Sequence, residues 1–337
     1  MENRLLDGKK ILFFSPAFFG YEKRISDKMV SLGAEVHYYN ERPIETSFQK
    51  AFLKVNPNIF SRLTEEYFFS ILKEVENIEF DFIFFLKCEM PTKKILSMFK
   101  EKFSNSVFCL YMWDSISNVI GIEEKFPFFD NIYSFDLEDI TKYKHLKFRP
   151  LFFSDEYRVT PNQYTKKYSL SFIGTIHSDR YRIIRQVKNI VDGYKLNSYF
   201  YNFLQSKFIF YYYKIIKKEF RDALISDFSF DHLSSKEIAD IINETQVVLD
   251  IQHPKQSGLT MRTIEMIGMN KKIITTNPMI RQYDFYNPNN ILIIDRFNIE
   301  IDLSFFESPY QELETKIYEK YSLRQWILDI LGVGNEQ

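Results

Sequence analysis

The sequence predicts an α/β protein built from two successive, doubly wound parallel sheets. Short apolar runs alternate with amphipathic segments as far as Phe135, the pattern lapses in the polar stretch Ser154–Lys167, and it restarts at Leu170. Strands that alternate with helices in this way form parallel sheets joined by crossover helices. With 337 residues, 45% hydrophobic and 26% charged, the chain can fill two domain-sized cores and is too apolar for disorder.

Each element follows from its own pattern. Lys10–Ser15 is a compact apolar strand, and Tyr21–Leu32 sets Ile25, Met29 and Val30 on one helical face before Gly33 ends it. Ala34–Tyr39 reads as a strand and Thr64–Val75 as a helix with acidic residues in its first turn. Asp81–Leu86 is almost wholly apolar, as a strand covered on both faces requires. Pro91–Phe103 is helical, with strands at Val107–Trp113 and Ile132–Phe135. In the second half, Leu170–Ile173 is a strand ending at Gly174, and Arg180–Val191 is a helix that buries Ile183, Ile184, Val187 and Ile190. Ser234 and Glu237 have the spacing of a capping box for a helix through Glu244. Strands at Val247–Ile251, Lys272–Thr276 and Ile291–Ile294 flank a helix at Thr260–Met269, and Glu312–Leu331 is a terminal helix. The expected domains are 1–153 and 168–311, followed by a helix and tail over 312–337. A crevice between two such units is the default ligand site.

Composition removes several function classes. The 44 basic and 45 acidic residues leave a net charge of −1, without the global positive field of a nucleic-acid binder. Cys88 and Cys109 are the only cysteines; both lie in apolar runs, as buried core residues do. The start of the chain lacks the pattern of a signal peptide, and no apolar stretch is long enough to span a bilayer, so a cytoplasmic protein is expected. The first strand-to-helix turn, with Ser15, Pro16 and Gly20, carries no G-x-G-x-x-G, and no G-x-x-x-x-G-K-[ST] occurs. Nicotinamide-dependent and P-loop readings are disfavoured accordingly.

The most informative segment is Val247–Thr276. A buried strand leads through Pro254, Ser257 and Gly258 into a helix beginning near Thr260. The N–H groups at such a helix start attract a phosphate, Arg262 adds a charge-assisted bond, and Gly258 permits close backbone approach. Glu265 is placed to accept from two ribose hydroxyls; alternatively, Arg262 and Glu265 form a surface i,i+3 pair. His253 stands in the same loop, and His177 follows Gly174 as a donor or acid, or as a plain loop histidine. In the first half, Asp114 ends the Tyr111-Met112-Trp113 strand, either as a base for an acceptor hydroxyl or as the cap of the next helix. Asp136 has the same two readings, and Lys87 and Glu89 follow another buried strand.

The run SGLTMRTIEMIGMNKKIITTN resembles the nucleotide-sugar-binding segment of GT-B glycosyltransferases, especially their bacterial capsule, lipopolysaccharide and CgeB-like branch. The resemblance implies two Rossmann-like domains facing across a cleft, the second one holding the nucleotide diphosphate. Glu265 matches the family's ribose-binding glutamate, and Ser257, Gly258, Leu259, Thr260 and Arg262 match its phosphate-side loop. Ser171-Phe172-Ile173-Gly174, followed by His177 and Arg180, resembles the Phe-x-Gly turn that opens the domain. Many retaining members carry a second glutamate eight positions before the first. Here that position is Ser257, so the motif does not support retention. With no D-x-D motif, neither a metal nor another cofactor is expected.

The implied activity is sugar transfer from a nucleotide-sugar donor to a glycan or lipid-linked glycan acceptor of the bacterial surface. A nucleotide-sugar epimerase of the same fold and a non-catalytic, membrane-associated assembly or regulatory protein are the other readings. Lys207–Arg221 mixes aromatic and basic residues, as either a core helix with a solvated basic face or a peripheral contact at the inner face of a membrane.

Overall fold

The computed structural model describes residues 4–42, 57–159, 166–254 and 258–333. These divide into two compact units, Met1–Pro150 with Leu323–Gln337, and Leu151–Ser322.

The first unit runs β1 (Lys10–Ser15), α1 (Tyr21–Ser31), β2 (Glu35–Asn40), α2 (Pro57–Glu74), β3 (Phe82–Leu86), α3 (Lys93–Lys102), β4 (Val107–Met112), β5 (Asn131–Ser134), α4 (Leu137–Lys142) and β6 (Lys147–Phe148). Its sheet has the order β2-β1-β3-β4-β5-β6, and every pairing is parallel. β3 is buried throughout and β1 and β4 nearly so, whereas β2 lies at an edge and stays partly exposed. Phenylalanines stack across neighbouring strands, with Phe14–Phe85 ring centroids at 4.5 Å and Phe13–Phe84 at 5.1 Å. Cys88 and Cys109 are free and buried in this unit, and burial pushes both thiols up.

The second unit runs β7 (Tyr168–Thr175), α5 (Arg180–Gly193), β8 (Ser198–Phe203), α6 (Lys207–Ile216), α7 (Ser235–Asn243), β9 (Thr245–Asp250), α8 (Met261–Gly268), β10 (Lys272–Thr275), β11 (Ile291–Ile293), α9 (Ser304–Glu307) and α10 (Thr315–Lys320). Its parallel sheet has the order β11-β10-β9-β7-β8. The capping box forms as the spacing predicts: the Ser234 hydroxyl accepts from Glu237 N–H, and the Glu237 carboxylate accepts from Ser234 N–H at 2.8 Å. β8 has no counterpart in the sequence reading, because S-Y-F-Y-N-F is aromatic on both faces and carries no period-2 signal.

Three boundary expectations change. α2 begins at Pro57 rather than Thr64 and has no acidic residue in its first turn. Ser154–Lys167 is not wholly a linker. Its first residues form a turn at Asp155–Tyr157 that packs on α8, with Val159 N–H donating to Gly268 O at 2.7 Å; residues 160–165 lie outside the described residues. The terminal helix is broken at Tyr321–Ser322. α10 is tied into the second unit through the Arg158–Glu319 pair, while α11 (Leu323–Leu331) belongs to the first. Trp326, fully buried, packs on Tyr111 at 4.7 Å, and Asp329 pairs with Arg149 at 2.7 Å. An apolar stripe complementary to the first sheet therefore decides where α11 lies, not its neighbours in sequence.

Candidate functional site

In an open parallel sheet, ligands collect outside the carboxyl ends of the strands, where the order reverses. In the second sheet that point lies between β7 and β9. Gly174 makes room there: a Cβ on it would stand 3.0 Å from Phe172 Cζ and 3.6 Å from Arg180 Nη1. Arg180 Nη1 donates to Thr175 O at 2.9 Å and Nε to Ile251 O at 2.7 Å, so one guanidinium spans the ends of β7 and β9. Arg296, after β11, does the same further along. Its Nη2 donates to Gln252 O at 2.6 Å and Thr276 Oγ1 at 3.0 Å, and its Nη1 lies 2.8 Å from the Asp179 carboxylate. Gln252 itself is buried, with its Oε1 unbonded. His177 and His253, which follow β7 and β9, lie with ring centroids 5.3 Å apart. Burial, followed by the charges of Arg180, His253 and Lys217, pulls the His177 imidazole down to about 4 despite Asp179. His177 is therefore neutral near pH 7. In that form it can donate one hydrogen bond.

The loop after β9 departs in detail from its expected use. Thr260 caps α8, accepting from Thr263 N–H at 3.2 Å while donating to Asp250, and the Thr263 hydroxyl also donates to Asp250. The Thr260 hydroxyl thus holds the loop to the end of β9. Leu259 is buried as an apolar anchor, and Gly258 O accepts from Asn277 Nδ2 at 3.4 Å. Ser257 lies outside the described residues. Arg262 and Glu265 form the i,i+3 pair at 3.4 Å, but it is no loose surface pair, since the Glu265 side chain is only 4% exposed. A carboxylate so buried needs a cation or hydroxyl partner.

In the first sheet the order reverses between β1 and β3. A cavity of about 160 Å³ opens there, lined by Ser15, Pro16, Phe18, Tyr21, Glu22, Arg42, Leu86, Lys87, Trp113 and Asp114. A wider depression of about 660 Å³, around Lys10, Asp81 and Ser106, lies at the amino ends of β1, β3 and β4, away from these strand ends. Lys87 and Cys88 leave β3 with φ of 82° and 55°, a left-handed path that side chains resist and that commonly marks a functional strand end. Lys87 Nζ reaches Asp114 at 2.7 Å and Glu89 at 3.3 Å, and Arg42 pairs with Glu89 at 2.8 Å. Burial opposes the Lys87 charge, but Asp114 and Glu89 outweigh it and hold the ammonium above its usual range. Asp114 is therefore an ion-paired cavity residue. The turn after it begins at Ser115 without a side-chain cap, whereas Asp136 caps α4 by accepting from Glu138 N–H at 3.0 Å. Behind the cavity, Glu41 is wholly buried and pushed up to about 8 by desolvation.

Arg296, Asp179 and Asp250 escaped the sequence reading. Asp250 closes the buried run V-V-L-D, and a strand-end carboxylate was a readable signal. Arg296 lies in a polar turn with no pattern of its own.

No family model and no curated protein matches the chain. Solved structures do. Anabaena HepE in complex with UDP and glucose aligns with a TM-score of 0.58 at 9% identity, over 96% of this chain and 99% of its own. An α-glucosyltransferase in complex with UDP and a mismatched DNA aligns at 0.59 and 12% identity, over the same shares. The lipopolysaccharide outer core galactosyltransferase WaaB, in its apo form, aligns at 0.52 and 14%, again over 96% and 99%. The chain thus has the α/β fold of two parallel-sheet, Rossmann-like domains found in GT-B glycosyltransferases.

Proposed function

We propose that this chain transfers a sugar from a nucleotide-sugar donor to a glycan acceptor of the bacterial surface, of the capsule or lipopolysaccharide kind. The observation that carries this reading is the cationic rim at the carboxyl ends of the second sheet, where Arg180 and Arg296 tie together the strand ends beside His177, His253 and the start of α8. Such a rim suits a diphosphate, whose charge grows as the sugar leaves. Fixed donors aimed at a developing charge are a major source of rate enhancement. In this reading Glu265 holds the ribose and Arg262 shares its charge with the diphosphate. The charge is met by guanidinium groups and a helix start, so the chemistry requires no metal.

The acceptor is assigned to the cavity of the first unit, whose Trp113 and Tyr21 offer aromatic faces to a sugar ring, with their centroids 5.5 Å apart. Asp114 is the candidate base. The acceptor oxygen bonds to the anomeric carbon, the bond from that carbon to the diphosphate oxygen breaks, and the acceptor proton passes to Asp114. The resemblance of the Ser257–Asn277 run supports placement in the capsule, lipopolysaccharide and CgeB-like branch, acting on the cytoplasmic side.

A thermal-shift screen against UDP-, GDP-, CMP- and dTDP-sugars tests the reading, because a ligand at 100 times its Kd stabilises by about 2.7 kcal/mol. One nucleotide class should raise Tm, and Glu265→Ala should abolish that rise. Absence of any shift would sink the reading. Incubating the donor alone separates transfer from epimerisation, since only an epimerase converts it.

A further inference from the structure

α6 carries a feature that neither the core nor the donor rim uses. Its inward face is apolar, with Phe210 buried and Ile209 and Tyr213 packed against the second core. Its outward face is apolar too. Phe208, Tyr211, Tyr212 and Ile215 stand at i, i+3, i+4 and i+7, all exposed, with Phe208 at 78% and Ile215 at 82%. Ile216, the last residue of α6, and Leu224 and Ile225 after it are exposed as well. Single exposed apolar residues are ordinary, but a contiguous stripe of this length marks an interaction surface.

The charges around the stripe identify what covers it. Lys207–Arg221 holds five basic residues against one acid, Glu219, within a chain of net charge −1. Lys214 and Lys217 turn inward, donating to Ala223 O at 2.9 Å and Ser178 O at 3.3 Å. Lys207, Lys218 and Arg221 remain exposed beside the stripe. Of the acids that follow, Asp222 and Asp227 are exposed, and Asp227 is engaged within the fold, accepting from Tyr181 Oη and Leu224 N–H. Long apolar side chains on a convex helix, tyrosines with a polar tip, and a rim of Lys and Arg together match an interfacial membrane helix. A groove for a partner helix would need concavity, and a self-association face would place these like charges against one another.

We infer that the α6 face is a docking surface for an anionic lipid bilayer, with Phe208 and Ile215 entering the acyl boundary and Lys207, Lys218 and Arg221 meeting the headgroups. This inference stands apart from sugar transfer, since none of these side chains belongs to the donor rim or the cavity.

Sedimentation of the full chain with phosphatidylcholine vesicles, with and without 30% phosphatidylglycerol, tests it. The native chain should pellet with the anionic vesicles, release at high salt, and bind neutral vesicles at least tenfold less. Phe208→Ser/Ile215→Ser should lower partitioning on anionic vesicles at least tenfold. Because both positions are exposed, its melting temperature and donor-induced shift should match those of the native chain, which separates this test from that of the sugar-transfer reading. Failure of the native chain to pellet, equal binding to both vesicles, or undiminished binding by the variant would overturn the inference. So would a dimer, seen without lipid, that the variant abolishes.

Discussion

Arg296 and Asp179 lie 117 positions apart in the chain, yet their side chains meet at 2.8 Å at the carboxyl ends of the second sheet. The same guanidinium bonds the turns after β9 and β10, so it braces the rim to which the proposed function assigns the donor. Arg296→Ala should lower stability by about 1–3 kcal/mol, since Asp179 and the Gln252 carbonyl lose a largely buried donor. It should also remove the nucleotide-induced thermal shift. Arg296→Lys should recover part of the stability and little of the shift, because an ammonium cannot span three acceptors in one plane. Parallel urea melts and thermal shifts would check this, and an unaltered nucleotide response in Arg296→Ala would reject the brace.

His177 makes a pH prediction. Its folded value of about 4 lies below its ordinary 6.5, so between these values the unfolded chain binds more protons than the folded one. Stability from this group is therefore present above pH 6.5 and lost as pH falls towards 4. His177→Gln should flatten that part of the stability profile. A bound diphosphate adds negative charge beside the ring, so the imidazole should titrate higher when donor is bound. NMR of the ring proton across pH 3.5–8, with and without nucleotide, reads both effects; equal titration in the two states would remove His177 from the donor site.

Asp114→Asn should reduce transfer by about 10²–10⁴, the range of a lost general base. Donor affinity and melting temperature should hardly change, because the Lys87 pair is partly exposed and such pairs contribute little stability. Near-normal turnover would exclude Asp114 as the base.

Gly268→Ala sets two effects against each other. Ala is favoured over Gly by about 1 kcal/mol in a helix interior, an upper bound at Gly268, the last residue of α8. The added Cβ would lie 2.5 Å from Phe153 Cγ and closer still to the Tyr157 carbonyl oxygen. Overpacking of that kind costs about 1–3 kcal/mol and more against backbone, so the variant should be net destabilised. A urea midpoint equal to that of the native chain would show that Phe153–Tyr157 does not pack on α8.

Much of the fold was legible before any tertiary information. β1 spans the predicted Lys10–Ser15, and β3, β4, β9 and α5 lie within a residue or two of their predicted bounds, because a buried face imposes its period on the local sequence. The Ser234–Glu237 box and the glycine before Arg180 were readable for the same reason, since caps and tight turns act over three or four residues. The candidate site was legible only in part. His177, His253 and Glu265 were singled out from their places after strand ends and on a helix, and Arg180 from the resemblance, but the partners they meet in the fold were not. The Arg296–Asp179 pair, the Lys87–Asp114 pair and the return of α11 to the first sheet join segments far apart in the chain. The sequence by itself determined most of the strands and helices that carry a clear apolar period, but neither β8 nor the break between α10 and α11. Only the tertiary structure decided which charges stand together, because ion pairs and docked helices depend on strand order, and strand order leaves no local period in the chain.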